Sequence, residues 1–563
     1  MGTISDKLMR IINTKEDIRQ ALISKGYDVP TSIPFKEYAK MISDLPCRVD
    51  SFPDIEGIVA RYSALGLTNE QMATNPVWVD KTGNGYDLQL KNFSWKGMSG
   101  VGGYGDENHQ TFYKFTLDDY VFIATPPGVK HMNFTFRVTG LQPGNKLTLA
   151  FFGTTNTVYG TWNKDGIYTV DADIVEAGKP TYFYNGYGAT RGEFTIEILP
   201  LYPGALVFDG VDDYGVCENF PILTKEKGYT VVALRQWIEE KNDSTALVSN
   251  CKNWNQDGAF LFEYNNLRIN FLNVAIPFGH VSSVDRGKSP FSYQTSKLYN
   301  GKNIKPGSFI GSNELVVGKG NKDFPTVSNA AIWEIVILDH DATEEELTKI
   351  KDYFVKTYPW LFPDQAWTVV GKTNEDEDRA TIANITGNGN DLILSNFGFI
   401  EGSGYNEEGE YAGYLVTDGV DDKIISSIFK MGNDWTVIGD WELINTGKND
   451  NAGIVKFDSI VIYNYNYNYN SMLINIKNGR NILIPDQNTV NAICSDGRIY
   501  SKDWKESIYN EETESTSKNF LTIGYSGNAY TKIAFKNLAI YPTVLSREDC
   551  IKAYNYLQTL KAK

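Results

Sequence analysis

The chain has 563 residues, more than one hydrophobic core of about 250 to 300 residues can use, so several domains are expected. Its formal charge of −16 repels phosphate backbones and anionic lipid, which excludes nucleic acid and membrane surfaces as expected partners. With 34 Tyr, 29 Phe, 11 Trp and 50 Gly, the composition favours strands and tight turns, and the expected class is mostly β.

Residues 1–50 are expected to be helical. Ile4, Leu8, Ile11, Lys15, Ile18, Leu22 and Lys25 follow alternating steps of four and three, and Gly26 is a natural stop. Ile4, Leu8, Ile11, Ile18 and Leu22 form the apolar seam of a coiled-coil anchor or oligomerisation segment. The alternative is a helix packed on a second one beginning at Ser32. Charges interrupt the apolar positions, so neither a signal peptide nor a membrane span is expected, and synthesis in a cytoplasm without export follows. The five cysteines contain no C-x-x-C pair and argue against a disulfide framework and a zinc site.

Beyond residue 50 the chain repeats itself. "TGNGYDLQLKNF" (Thr82 to Phe93) returns as "TGNGNDLILSNF" (Thr386 to Phe397), and "GLTNE" returns as "GKTNE". "LVFDGVDD" (Leu206 to Asp213) returns as "LVTDGVDD" (Leu415 to Asp422), and a late "LVVG" returns as "LTIG". Such spacing marks a duplicated domain. The matched Phe and Leu are 113 positions apart in the first copy and 18 in the second, so a small domain is inserted into the first. The expected units are a linker and opening element over 51–104, an inserted β-sandwich over 105–200, one repeat over 201–363 and the other over 364–563. Each repeat closes with a strand leading into a short helix, capped by Thr343 with Glu346 or by Ser546 with Asp549.

Two stretches carry candidate sites. Asp-Gly suits a tight turn, so "DGVDD" reads first as a structural hairpin. Its second reading is a Ca²⁺ site, with Asp209, Asp212 and Asp213, and in the other copy Asp418, Asp421 and Asp422, as oxygen ligands. In "IYNYNYNYNS" a strand would put Tyr463, Tyr465, Tyr467 and Tyr469 on one face and Asn464, Asn466, Asn468 and Asn470 on the other. Tyrosines stack on sugar rings and asparagines bond hydroxyls, so the exposed row is a candidate glycan surface; the bland reading is a cross-strand Tyr ladder.

"FDGVDDY", the central "GYTV", the late "LVVG" and the final strand before "TEEEL" resemble the laminin-G-like, concanavalin-type jelly roll of lectin-like modules. The resemblance spans both copies and implies two such jelly rolls with an inserted sandwich and a helical anchor. "TKEDIRQALISKGYDVPTSIPFKEYAKMI" resembles the opening of virion appendage proteins of tailed phages of gut bacteria. That likeness implies a virion location and other virion proteins as partners through the anchor.

Enzymes on the jelly-roll fold use an E-x-D-x-x-E strand, which this sequence lacks. Glu334 and Glu239-Glu240 have no second carboxylate at period-two spacing, and His109, His131, His280 and His340 have no paired nucleophile signature. The expected function is therefore non-enzymatic: a fibre-like, homo-oligomeric virion protein adhering to glycans, with no required cofactor. The alternatives are a purely structural decoration protein and a polysaccharide hydrolase.

Overall fold

The computed structural model describes residues 52–562, apart from internal stretches such as 105–111, 124–130, 186–193, 264–288, 304–311, 445–452, 466–470, 485–489 and 509–517. The anchor positions Ile4, Leu8, Ile11, Ile18 and Leu22 lie outside the described residues. The fold is mostly β, and every strand pair is antiparallel. Among the described residues no helix is long and apolar enough to cross a membrane.

The first repeat is two facing sheets. One runs in the order Lys302–Asn303, Leu298–Tyr299, Phe291–Thr295, Thr230–Glu239, Asn329–Leu338, Leu206–Asp209, Gly100–Val101. Ile58–Ser63 follows Leu206–Asp209 along the same edge of Asn329–Leu338, pairing from Leu338 to Glu334. The facing sheet runs Asp257–Phe262, Val248–Asn253, Leu315–Val317, Tyr214–Cys217, Leu88–Lys91, Val77–Trp78. Leu88, Leu206, Phe208, Val231, Leu315 and Ile335 meet between them in a dry core.

The second repeat has the same order strand for strand. Glu506–Ile508, Arg498–Ser501, Val490–Cys494, Thr436–Leu443, Ile533–Tyr541, Leu415–Val416 and Gly404–Tyr405 form one sheet, with Gln365–Thr368 also on Ile533–Tyr541. Ile460–Tyr465, Gly453–Phe457, Leu521–Ile523, Lys423–Ser426, Leu392–Ser395 and Thr381–Ile382 form the other, which continues past Ile460–Tyr465 into Ser471–Ile476 and Arg480–Ile484. The opening element, including the stretch expected as a linker, is thus integral to each sandwich. The repeated "TNE" shows why it persists. Asn69 brackets Val101, accepting its N–H at 2.7 Å and donating to its carbonyl at 3.2 Å, and Asn374 brackets Tyr405 at 2.8 Å in both directions.

The insert forms its own pair of four-stranded sheets. Gly166–Asp173, His131–Thr139, Phe194–Leu199 and Phe112–Phe115 face Tyr120–Ile123, Thr181–Asn185, Leu147–Phe151 and Thr157–Trp162. Phe136 lies 4.8 Å from Trp162 and 4.9 Å from Phe183, edge to face. Chain entry and exit run side by side, Leu201 N–H bonding the Gly103 carbonyl at 2.9 Å. Gly102 permits this approach, since a Cβ there would stand 2.9 Å from that of Pro200.

A third core joins the repeats. Asn329–Leu338 and Ile533–Tyr541 are buried along almost their whole length because helices Glu344–Thr357 and Arg547–Gln558 cover their outer faces. Trp333 meets Tyr556 edge-on at 6.4 Å, and Gln236 Nε2 donates to Thr559 Oγ1 at 3.0 Å. Thr343 caps its helix reciprocally with Glu346, and Ser546 Oγ accepts the Asp549 N–H.

Candidate functional site

"DGVDD" is not a β-hairpin. Leu206–Asp209 belongs to one sheet and Tyr214–Cys217 to the other, so the motif carries the chain across the sandwich, and its twin does the same. The reason is side-chain capture of the backbone. Asp209 Oδ1 accepts the N–H of Val211 at 2.7 Å and of Asp212 at 3.4 Å, folding the chain into a tight corner rather than a ladder. Gly210 takes φ +74°, and a Cβ there would stand 2.7 Å from that of Asn329.

The corner turns Asp213 inward until it is fully buried. Its Oδ2 accepts the Asp209 N–H and its Oδ1 the Ser99 hydroxyl, each at 3.1 Å. The second corner repeats this: Asp418 Oδ1 accepts from Val420 at 2.7 Å, and the Asp418 N–H donates to Asp422 Oδ2 at 2.8 Å. Ser403 stands where Ser99 does and helps hold the Asp422 proton affinity down, yet Asp422 Oδ1 has no partner at hydrogen-bonding distance. In each copy one oxygen from each of the three aspartates lies within 4.8 Å of the others, so the structure brings Asp209, Asp212 and Asp213 together, and likewise Asp418, Asp421 and Asp422.

Burial, reinforced by the Asp209 charge, pushes the Asp213 carboxyl up to about 8, against the opposing hydrogen bonds from Ser99 and Asp209. Burial likewise lifts Asp422 to about 6. A carboxyl raised so far holds a proton, or trades it for a cation. Ca²⁺ takes six to eight oxygens, whereas here three carboxylates converge and several of their oxygens already accept bonds from their own loop. The Asp213 triad therefore fits a proton store better than a complete calcium cage, whereas Asp422, at about 6, holds its proton only in mildly acidic solution. Ser99-Gly100 and Ser403-Gly404 recur in the sequence and were the available signal for the serine beside each triad.

The Tyr/Asn tract sits at the extended end of the second sandwich. Tyr463, Asn464 and Tyr465 end strand Ile460–Tyr465, opposite Leu473, Met472 and Ser471. Asn466, Tyr467, Asn468, Tyr469 and Asn470 lie outside the described residues, between the paired Tyr465 and Ser471. Val455 and Phe457 pair with Ile523 and Leu521 and with Ile462 and Ile460, and along the same strand the positions of Tyr463 and Tyr465 alternate with that of Asn464.

The acidic groups weighed for catalysis divide. Glu334 is fully buried, held by Arg61 at 3.0 Å with Tyr353 and Tyr358 donating to it, and so presents nothing to a substrate. Glu239 is exposed at the end of its strand. His340 lies in the turn before Glu344–Thr357, between Asp339 and Glu346. Sequence reasoning missed Glu263, a buried carboxylate that accepts from Arg235, Trp237, Ser292 and Tyr299 and is held down to about 2; its burial pushes it up, and the Arg235 charge and these bonds overcome that. No local string announces it, because its partners come from three strands.

No protein-family model and no curated protein matches the chain. Among solved structures, a Trypanosoma rangeli sialidase in complex with sialic acid matches at 10% identity and TM-score 0.24, over 48% of this chain and 49% of that one. The chain thus spans about half of that sialidase. Another Trypanosoma rangeli sialidase structure matches at 8% identity and TM-score 0.23, covering 73% and 66%. A botulinum neurotoxin serotype D binding domain matches at 10% identity and TM-score 0.16, covering 88% and 97%. Similarity at these scores carries no argument about fold or function.

Proposed function

We propose that the chain is a non-enzymatic adhesion protein of a virion surface appendage, in which two laminin-G-like jelly rolls present neutral glycan-binding surfaces. The observation that carries this reading is the extended sheet of the second sandwich, whose strand Ile460–Tyr465 brings the alternating Tyr463, Asn464 and Tyr465 into pairing with Ser471–Ile476. The net charge of −16 leaves aromatic stacking and neutral hydrogen bonding as the means of holding a sugar. Stacking contributes about 1 kcal/mol per ring, so one site is weak and useful adhesion comes from several copies joined through residues 1–50, which also attach to other virion proteins. Binding of bacterial surface polysaccharide by the assembled oligomer, compared with the double variant Tyr463→Ser/Tyr465→Ser, tests this. Loss of binding with unchanged folding is expected, and equal binding by the two proteins overturns the glycan assignment.

A purely structural role is the second reading. It is favoured by the continuous core that joins the repeats through Trp333 and Tyr556, as a stiff spacer requires. Binding by neither protein would select it, and release of reducing sugar would select a hydrolase.

A further inference from the structure

The equivalence of the repeats isolates one departure. Cys494 ends strand Val490–Cys494 and pairs with Thr436, where the first repeat has Thr295 paired with Thr230. Cys550 stands four residues past the cap Ser546, its N–H donating to the Ser546 carbonyl at 2.8 Å, where the first repeat has Leu347 bonded to Thr343 at 3.1 Å. In both repeats the intervening threonine ties the strand to the helix entry. Thr230 Oγ1 accepts from Ala342 N–H at 2.7 Å, and Thr436 Oγ1 accepts from Leu545 N–H at 2.9 Å. Both positions flanking this tie have become thiols in the second repeat alone.

The two sulfurs crowd the same tie. Cys494 Sγ lies 3.7 Å from Thr436 Oγ1, and Cys550 Sγ lies 4.0 Å from the carbonyl of Leu545. Both residues are fully buried, and they flank the one tie from either side, Thr436 bonding Leu545 between them. We propose that Cys494 and Cys550 are a redox pair that closes to a disulfide and staples helix Arg547–Gln558 to the sheet beneath it. The helix also carries Tyr556, against Trp333, and leads into Thr559, bonded to Gln236, so the staple fixes the junction between the repeats.

The chemistry needs a low-molecular-weight disulfide as oxidant. Hydrogen bonding from Cys550 and the Arg498 charge favour the Cys494 thiolate, while burial pushes the Cys550 thiol up, so Cys494 is the first nucleophile. Its thiolate attacks one sulfur of oxidised glutathione, forming a mixed disulfide and releasing one glutathione thiolate, which takes up a proton. Cys550 then loses its proton and attacks Cys494 Sγ, expelling the second glutathione. The dithiol is oxidised by two electrons and one glutathione disulfide is reduced to two thiols. Because both sulfurs are buried, the first step waits on local opening of the helix. In a reducing compartment the pair stays open, and in an oxidising one it closes.

The test uses the full chain with Cys47→Ser, which leaves Cys217, Cys251, Cys494 and Cys550 as its thiols. The protein is equilibrated in oxidised or reduced glutathione with mild urea to admit the oxidant, then mapped without reduction and melted after the urea is removed. The expected result is loss of two thiols, a peptide linking 494 to 550, and a melting temperature of the second repeat higher by about 10 °C in the oxidised form, as closing a loop of roughly 56 residues implies. Dithiothreitol reverses the shift, and Cys550→Ser abolishes it. Comparing the two redox forms of one chain keeps the result independent of how the variant folds. Failure of the 494 to 550 link to form, or a link that leaves the melting temperature unchanged or lower, overturns the proposal.

Discussion

Asp213→Asn separates the proton from the cation at the duplicated corner. The carboxyl is raised from 3.8 to about 8, about four units, and at about 1.4 kcal/mol per unit the upper bound on its contribution is about 6 kcal/mol. The folded chain binds this proton more tightly than the unfolded one, so the stabilisation is complete below about pH 4 and is lost as pH rises towards 8. Asparagine keeps an acceptor for the Asp209 N–H and removes the charge, its amide donating to Ser99 Oγ where the Ser99 hydroxyl now donates to Oδ1. With half the bound surviving relaxation, the variant should match the natural protein at pH 4.5 and melt about 5 to 10 °C higher at pH 8. The assay is calorimetry in EDTA across that range, repeated with 1 mM calcium. A natural melting temperature flat from pH 5 to 8, or a variant that melts lower at pH 8 in EDTA, refutes the reasoning. A calcium-dependent rise lost in Asp213→Asn would refute it in favour of a cation site.

Other outcomes follow from the cores. Arg61→Met should cost about 3 to 5 kcal/mol in urea denaturation by stranding buried Glu334, and Glu334→Leu added to it should recover much of the loss. Gly439→Ala should cost about 3 kcal/mol or more and broaden the unfolding of the second sandwich, because the new Cβ would lie 1.7 Å from Trp441 Cζ3 in its core. Thr343→Ala should cost about 1 kcal/mol by opening a reciprocal cap, seen as faster amide exchange in the first turn of its helix.

The β class and the repeat were legible because both are written locally. Alternation places strands, and Thr343 and Ser546 announce their helices by spacing alone. The corner at "DGVDD" was misread because Asp-Gly predicts a turn without saying which sheet receives the next strand. That choice is made by Val216 and Ile424, which pair with strands distant in sequence, Leu315–Val317 and Leu521–Ile523. The triads were legible as residues but not as an environment. Their raised proton affinity depends on the burial of Asp213 and Asp422, which the fold supplies from beyond the motif.

The two closing helices show how far a shared ancestry can hide a change of surroundings. Glu344–Thr357 buries only Leu347, Ile350, Tyr353 and Phe354, the single stripe of a helix with one face in water. Arg547–Gln558 buries Cys550 and every residue from Ala553 to Gln558, because it is wedged between both sandwiches. From Ala553 onward the helix is enclosed and keeps no amphipathic pattern, so its polar side chains there bond inside the junction. Gln558 Nε2 therefore donates to Asp440 Oδ2 at 3.2 Å, and Asn555 Nδ2 reaches the Pro200 carbonyl at 3.5 Å. The second copy could accept that change because its helix had a new wall to pack on, namely Trp333 of the first. The closing helices thus diverge where one repeat became the environment of the other, while both corners kept their aspartates.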